Sequence, residues 1–233
     1  MDAEHVEAIL EVVRDRLYDY DQFRDAVAKY LLNHPDLNNG TPRHVHSVKS
    51  RLKDIDHIKS KIVRKSKPGN EIAPDNVLNV NKDIAGVRVL HLIQASFVPI
   101  YTVIKKKVER GDWVFAEPPK ALTWDRESEA FFKDCQIETE FRETHYTSVH
   151  FIIKERETSP VCCELQVRTL FEEIWGEIDH TINYPENTHS VACREQIRVL
   201  SKLIATGSRL SDSIFRSYEE HKQKSTNTSQ VGS

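Results

Sequence analysis

Glycine is scarce in this chain, at seven residues in 233. A phosphate cradle built from backbone N–H groups needs glycines at fixed spacing, and the chain has neither G-x-x-x-x-G-K-[ST] nor G-x-G-x-x-G. Any nucleotide phosphate held here must therefore be held by side chains. H-E-x-x-H and G-x-S-x-G are also missing, which removes the zinc-peptidase and nucleophile-elbow readings. Cysteine is sparse: Cys162 and Cys163 are adjacent, Cys135 and Cys193 are isolated, and no C-x-x-C pair occurs. That pattern excludes a zinc ribbon or a disulfide framework and predicts four reduced, buried thiols. Long apolar runs are lacking too. The densest, Ile84 to Ile93, is broken by Arg88 and His91 and falls well short of the roughly 20 residues a membrane span needs. The acidic start, MDAEHVEAIL, lacks the basic-then-apolar layout of a signal peptide. Together these absences predict a cytoplasmic protein with no membrane partner.

What is present is charge, and it is unevenly placed. The net charge is −3, yet residues 43–67 hold nine Lys/Arg against Asp54 and Asp56, a local charge of +7. A concentrated positive field on an acidic chain fits a polyanion, either nucleotide phosphates or RNA; a solvated basic helix is the plainer reading.

Apolar spacing predicts helix over 2–33, 54–66, 97–108, 169–182 and 190–221. β-branched or alternating runs predict strands at 84–93, 113–116, 137–141, 147–154 and 161–168. Residues 33–42, the polar connection 67–82 with Pro68, Gly69 and Pro74, and 118–134 read as loops, the last with a short helix near 128–132. The domain plan is one unit over 1–222: a helical part at 1–40, a core at 43–185 and a closing helix at 190–221. A tail at 223–233 is disordered by composition. The fold class is α/β (α+β), a mixed sheet flanked by helices.

Four clusters carry chemical potential. In Glu164-Leu-Gln166-Val-Arg168, strand alternation puts the acid, the amide and the guanidinium on one face, roughly 6.5–7 Å apart in turn. This is a ligand-facing row or an ordinary wet strand face. Tyr146, Ser148 and His150 alternate in the same way and could stack a base and hold a phosphate, or the histidine could be structural. Asp83 and Arg88 are five residues apart, on opposite faces of a regular strand. If both serve one site, Asp83 must precede the strand or Gly86 must mark a bulge. Finally, Glu173, Glu177 and His180 lie on the helix face opposite a stripe of Phe171, Ile174, Trp175, Ile178 and Ile182. With no second Glu-x-x-His, a di-iron centre is not expected.

The ordered set SRLKDIDHIKSKIVRK (50–65), DIAGVRV (83–89), HYTSVHF (145–151), ELQVRT (164–169) and WGEIDHTINY (175–184) resembles the synthetase domain of RelA/SpoT-type alarmone synthetases, of the small single-domain kind. The resemblance implies a nucleotidyltransferase-like fold and transfer of the β,γ-pyrophosphate of ATP to the ribose 3′-hydroxyl of GDP or GTP, with release of AMP. It implies magnesium (Mg²⁺) on Asp83 and Glu164, with Glu164 also the base for the 3′-hydroxyl. It places Arg51 and Arg88 around adenine and Lys53 and Lys61 at the ATP phosphates. Tyr146 would stack on the acceptor's guanine, and His150, Gln166 and Arg168, with Ser148 on the same face, would surround its sugar and phosphates. Such chemistry is mostly positioning and charge neutralisation. Terminal helices imply a homo-oligomer.

The acceptor loop departs from the family's usual Gly-Tyr-Arg/Gln-Ser, reading His145-Tyr146-Thr147-Ser148. The change removes the glycine's backbone freedom and a charge near the acceptor phosphates. Two further readings follow: a pyrophosphokinase acting on the tRNA 3′ CCA end or on adenine nucleotides, and a non-catalytic nucleotide-binding module. The presence of both Asp83 and Glu164 counts against the second of these.

Overall fold

The computed structural model describes residues 2–40, 42–67, 69, 71–184 and 187–231. Pro68, in the expected polar connection, and the last two tail residues lie outside the described residues. Two helices lead: α1 (Ala3–Arg14), capped by the Asp2 carboxylate on the His5 amide, and α2 (Leu17–Asn33). The helical reading of 2–33 is interrupted only at Asp15–Arg16. A one-turn helix, α3 (Pro35–Asn38), starts on a proline, whose missing N–H costs nothing at that position.

The sheet has six strands in the order β1-β2-β6-β5-β3-β4. These are β1 (Ser47–Leu52), β2 (Ala85–His91), β3 (Val114–Thr123), β4 (Glu138–Phe141), β5 (Ser148–Lys154) and β6 (Cys163–Thr169). β2 runs parallel to β6 and β3 to β4, while the other neighbours are antiparallel. Between them lie α4 (Ile55–Lys65), the one-turn α5 (Val77–Val80), α6 (Phe97–Glu109) and α7 (Arg126–Asp134); α8 (Leu170–Asn183) and α9 (Val191–Val231) close the chain.

One sheet face is apolar. Val87, Val89, Val149, Phe151, Leu165 and Val167 are buried, in one cluster with Tyr20, Val27 and Leu31 of α2 and Ile100 and Ile104 of α6. The alternate residues of β2 and β6 form the polar face, which α8 covers. A capping box starts α8: Thr169 Oγ1 accepts from the Glu172 amide at 3.2 Å, and the Glu172 carboxylate accepts from the Thr169 amide at 2.7 Å.

Several expectations are corrected. The basic segment 43–67 is not one solvated helix: its first half is β1, paired with β2 along its length. β3 continues to Thr123, through Pro118 and Pro119. The prolines fall where the β3–β5 register shifts, between Glu117 and Lys120, so the ladder bonds they cannot donate are not required. On α8 the expected inward stripe holds only in part: Trp175 is buried, but Ile174, Ile178 and Ile182 are exposed and Glu173, expected outside, is 4% exposed. The helix lies on a sheet face bearing Arg88 and Arg168, so its inward residue is an acid. Last, α9 continues to Val231, past the end expected at 221 and into the expected tail. Residues 222–231 contain no proline or glycine to stop it. All four cysteines are free; Cys162 and Cys163 are buried, whereas Cys135 and Cys193 are only partly so. Among the described residues no helix is long and apolar enough to cross a membrane.

Candidate active site

Sheet register assembles the site. Arg51 on β1 stands opposite Gly86 on β2, and Gly86 is beside Glu164 on β6. One step along, Lys49, Arg88, Gln166, His150 and Lys120 form a row across five strands. A cleft of about 250 Å³ opens over these rows, lined by Lys49, Arg51, Gly86, Arg88, Glu164 and Gln166 with Glu177 from α8. Gly86 leaves its floor open between Arg51 and Glu164.

Asp83 and Arg88 reach the same region because Asp83 precedes β2, which begins at Ala85. The alternative of a bulge at Gly86 does not hold, since β2 keeps a regular register with both neighbours. Asp83 accepts from Lys53 Nζ at 2.5 Å and from Lys61 on α4. Burial pushes its carboxyl up, but the two ammonium groups outweigh that and hold it down at about 2. Glu164 is pushed up by burial and pulled down by its partners: His150 Nδ1 at 3.2 Å from Oε1 and Gln166 Nε2 at 3.1 Å from Oε2. The outcome lies below the ordinary glutamate value, although the nearby charge of Asp83 pushes the other way. Both groups are thus carboxylates at neutral pH, close enough to repel each other.

That donor set fits Mg²⁺, a hard cation commonly bound by one or two carboxylates together with substrate phosphates and water. Among the described residues no cluster of three or more His, Cys, Asp or Glu is arranged for a metal, so an ion here would take its remaining ligands from phosphate and water. The Glu173, Glu177 and His180 set is no metal site: both acids bind Arg88 Nη1 at 2.8 Å, and the His180 ring stacks on Tyr184 at 4.6 Å.

The expected acceptor residues adjoin the cleft. Tyr146 Oη lies 3.1 Å from His150 Nε2, and the Arg168 guanidinium sits over the Tyr146 ring at 5.7 Å. Since His150 Nδ1 faces a carboxylate, Nε2 is left to accept from the tyrosine hydroxyl. Ser148 is buried beside Tyr146, 1% exposed, with its hydroxyl acting on the Tyr146 phenol. His145 holds φ at +63°, a left-handed conformation, at the position where the family pattern has glycine, and its ring leans on Trp124 at 4.8 Å.

Lys49 was missed in the sequence, and Glu173 and Glu177 were singled out there without being assigned to the cleft. Lys49, Glu173 and Glu177 clamp or line the cleft. The usable signal for Glu173 was the polar face itself, since two buried-side arginines on a sheet require an anion from whatever covers them.

The model of the region found in RelA/SpoT proteins matches residues 50–189. In fold, the chain is similar to small alarmone synthetase 1 from Bacillus subtilis, with a TM-score of 0.65 and 20% identity over 90% of this chain and 97% of that one. A second structure of that protein, bound to its product pppGpp, superposes with a TM-score of 0.63 at 20% identity over 90% and 97% of the two chains. A GTP pyrophosphokinase family protein from Streptococcus pneumoniae gives 0.67 at 18% identity over 95% and 97%. No curated protein matches the chain.

Proposed function

Because the chain belongs to the RelA/SpoT family, we propose that it is an ATP-dependent pyrophosphokinase that makes (p)ppGpp and AMP from ATP and GDP or GTP. The observation that carries this reading is that Asp83, just before β2, and Glu164, on the polar sheet face, are two carboxylates close enough to feel each other's charge beside the Arg51–Arg88 cleft.

In this reading Arg51 and Arg88 flank the adenine, as planar cations that stack and stay charged. Lys53 and Lys61 turn from Asp83 towards the ATP phosphates, lowering the repulsion between two polyphosphates. Tyr146 stacks on the acceptor base, and Gln166 and Arg168 orient its sugar and phosphates. Glu164, ionised and steadied by His150 and Gln166, takes the proton of the 3′-hydroxyl. The 3′-oxygen then bonds to the β-phosphorus of ATP as the bond from that phosphorus to the α,β-bridging oxygen breaks, and AMP leaves. Mg²⁺ on Asp83 and Glu164 would supply charge neutralisation at the phosphate oxygens.

The setting is the cytoplasm, where both nucleotides are abundant. Val199, Leu203, Leu210 and Ile214, exposed along α9, support self-association as a homo-oligomer.

The test is thin-layer chromatography of γ-labelled ATP with Mg²⁺ and, separately, GDP, GTP, ADP and bulk tRNA. Label moving to GDP or GTP supports the reading. Label found only on tRNA or an adenine nucleotide would keep the transfer chemistry and reassign the acceptor.

A further inference from the structure

We propose that Glu173 is a positioning residue that couples the donor and acceptor subsites, so that occupancy of one is felt at the other. The inference rests on the functional reading above.

Glu173 is a buried carboxylate on the first turn of α8, 4% exposed. Its Oε1 accepts from Lys49 Nζ and from Arg88 Nη1, each at 2.8 Å, and its Oε2 pairs with Arg168 Nη2. Three cations from β1, β2 and β6 thus converge on one anion. Arg88 belongs to the donor cleft. Arg168 lies under the acceptor ring, its guanidinium 5.7 Å from the Tyr146 centroid. From Tyr146 the contacts continue to His150 at 3.1 Å and from His150 to Glu164 at 3.2 Å. A continuous chain of charge and hydrogen bonds therefore runs from the adenine-side arginine to the carboxylate assigned as base, and Glu173 is where its two halves join.

The helix is shaped for this junction. A Cβ on Gly176 would stand 2.8 Å from Arg168 Nη1, so a helix-weakening glycine occupies the position that the guanidinium crosses to reach Glu173. Arg168 has 3% of its side chain exposed and so cannot exchange Glu173 for water. Arg88 is 24% exposed and has a second partner, Glu177, that is 56% exposed. Arg88 can swing towards a bound base while Arg168 stays. When it does, Glu173 loses one of the cations it shares, and its hold on Arg168, and through it on Tyr146, tightens. The converse holds by reciprocity: an acceptor stacked on Tyr146 holds Arg168 on Glu173, leaves less of the carboxylate for Arg88 and so frees Arg88 for the donor.

The experiment is titration calorimetry on the full chain, measuring the Kd of the non-hydrolysable ATP analogue AMPCPP with and without saturating GDP. For wild type, GDP should tighten AMPCPP by about fivefold or more, within the usual range of site–site coupling. In Glu173→Gln the ratio should fall to within about twofold of unity even where each nucleotide still binds. Should that variant not fold, Glu173→Asp decides: it keeps the charge, is one methylene too short to reach all three cations, and should lose most of the coupling. Glu177→Gln, removing a carboxylate that pairs with Arg88 and not with Arg168, should alter AMPCPP affinity and keep the coupling. Wild type binding both nucleotides without coupling, or with coupling that survives in the folded Glu173 variants, overturns the proposal alone. Wild type binding neither nucleotide overturns the functional reading and this proposal with it.

Discussion

Asp83→Asn removes the anion shared by Lys53 and Lys61, whose side chains are 15% and 13% exposed. The magnitude follows from linkage. The carboxyl is displaced from 3.8 to about 2 on folding, and at about 1.4 kcal/mol per unit this is worth about 2 kcal/mol. Leaving two buried ammonium groups uncompensated puts the loss at about 2–4 kcal/mol. For a chain of this length the 2 kcal/mol estimate corresponds to a fall in Tm of roughly 4–8 °C. The sign is set by the depressed value: the stabilisation is present above 3.8 and disappears as pH falls through about 2. Paired urea melts of wild type and Asp83→Asn at pH 7 and at the lowest pH where wild type stays folded measure it, and the gap between them should narrow in acid. Adding Lys53→Met to Asp83→Asn should recover part of the loss, because one unpaired charge goes with it. An asparagine variant within about 0.5 kcal/mol of wild type at pH 7 would refute the assignment of Asp83 as the anchor of these lysines.

Tyr146→Ala should raise the acceptor KM with little change in that for ATP, while Tyr146→Phe, which keeps the ring and loses the contact with His150 at 3.1 Å, should lower kcat more than it moves KM; steady-state kinetics separate the two. His145→Val should cost about 1–2 kcal/mol by chemical denaturation, because φ at +63° strains a β-branched residue more than histidine. Burial pushes the Glu172 carboxyl up from 4.5 to about 7. The stability tied to its protonated form is present below 4.5 and is lost as pH rises through 7, so Glu172→Gln, which preserves the capping box, should melt above wild type at pH 8 and close to it at pH 4.

Much of the site was legible because strand alternation is a local rule. Glu164, Gln166 and Arg168 share a face on spacing alone, and the apolar partners Leu165 and Val167 are core residues. The requirement that Asp83 precede its strand or Gly86 mark a bulge came from the same rule, and the first option is the one found. What stayed hidden depended on neighbours. β1, SVKSRL, carries too much charge to look like a strand, and it is one because β2 offers it an edge. Pro118 and Pro119 argued for a loop, yet a register shift lets a strand pass through them. On α8 the isoleucines looked like the inward face, and only the arginines waiting on the sheet explain why Glu173 is inside instead. Ser148 matched the acceptor row by alternation; its burial beside Tyr146 was not legible, because it depends on where the ring preceding β5 settles.

In the proposed reaction a pyrophosphoryl group moves as a unit from ATP. ATP labelled in the α-phosphate, incubated with the protein, Mg²⁺ and GDP and resolved by chromatography, tests it most directly. Labelled AMP should appear in one-to-one yield with a pyrophosphorylated acceptor, and Glu164→Gln that folds normally should lose at least about 100-fold. Labelled ADP in place of AMP, or near-wild-type turnover by the glutamine variant, would contradict it.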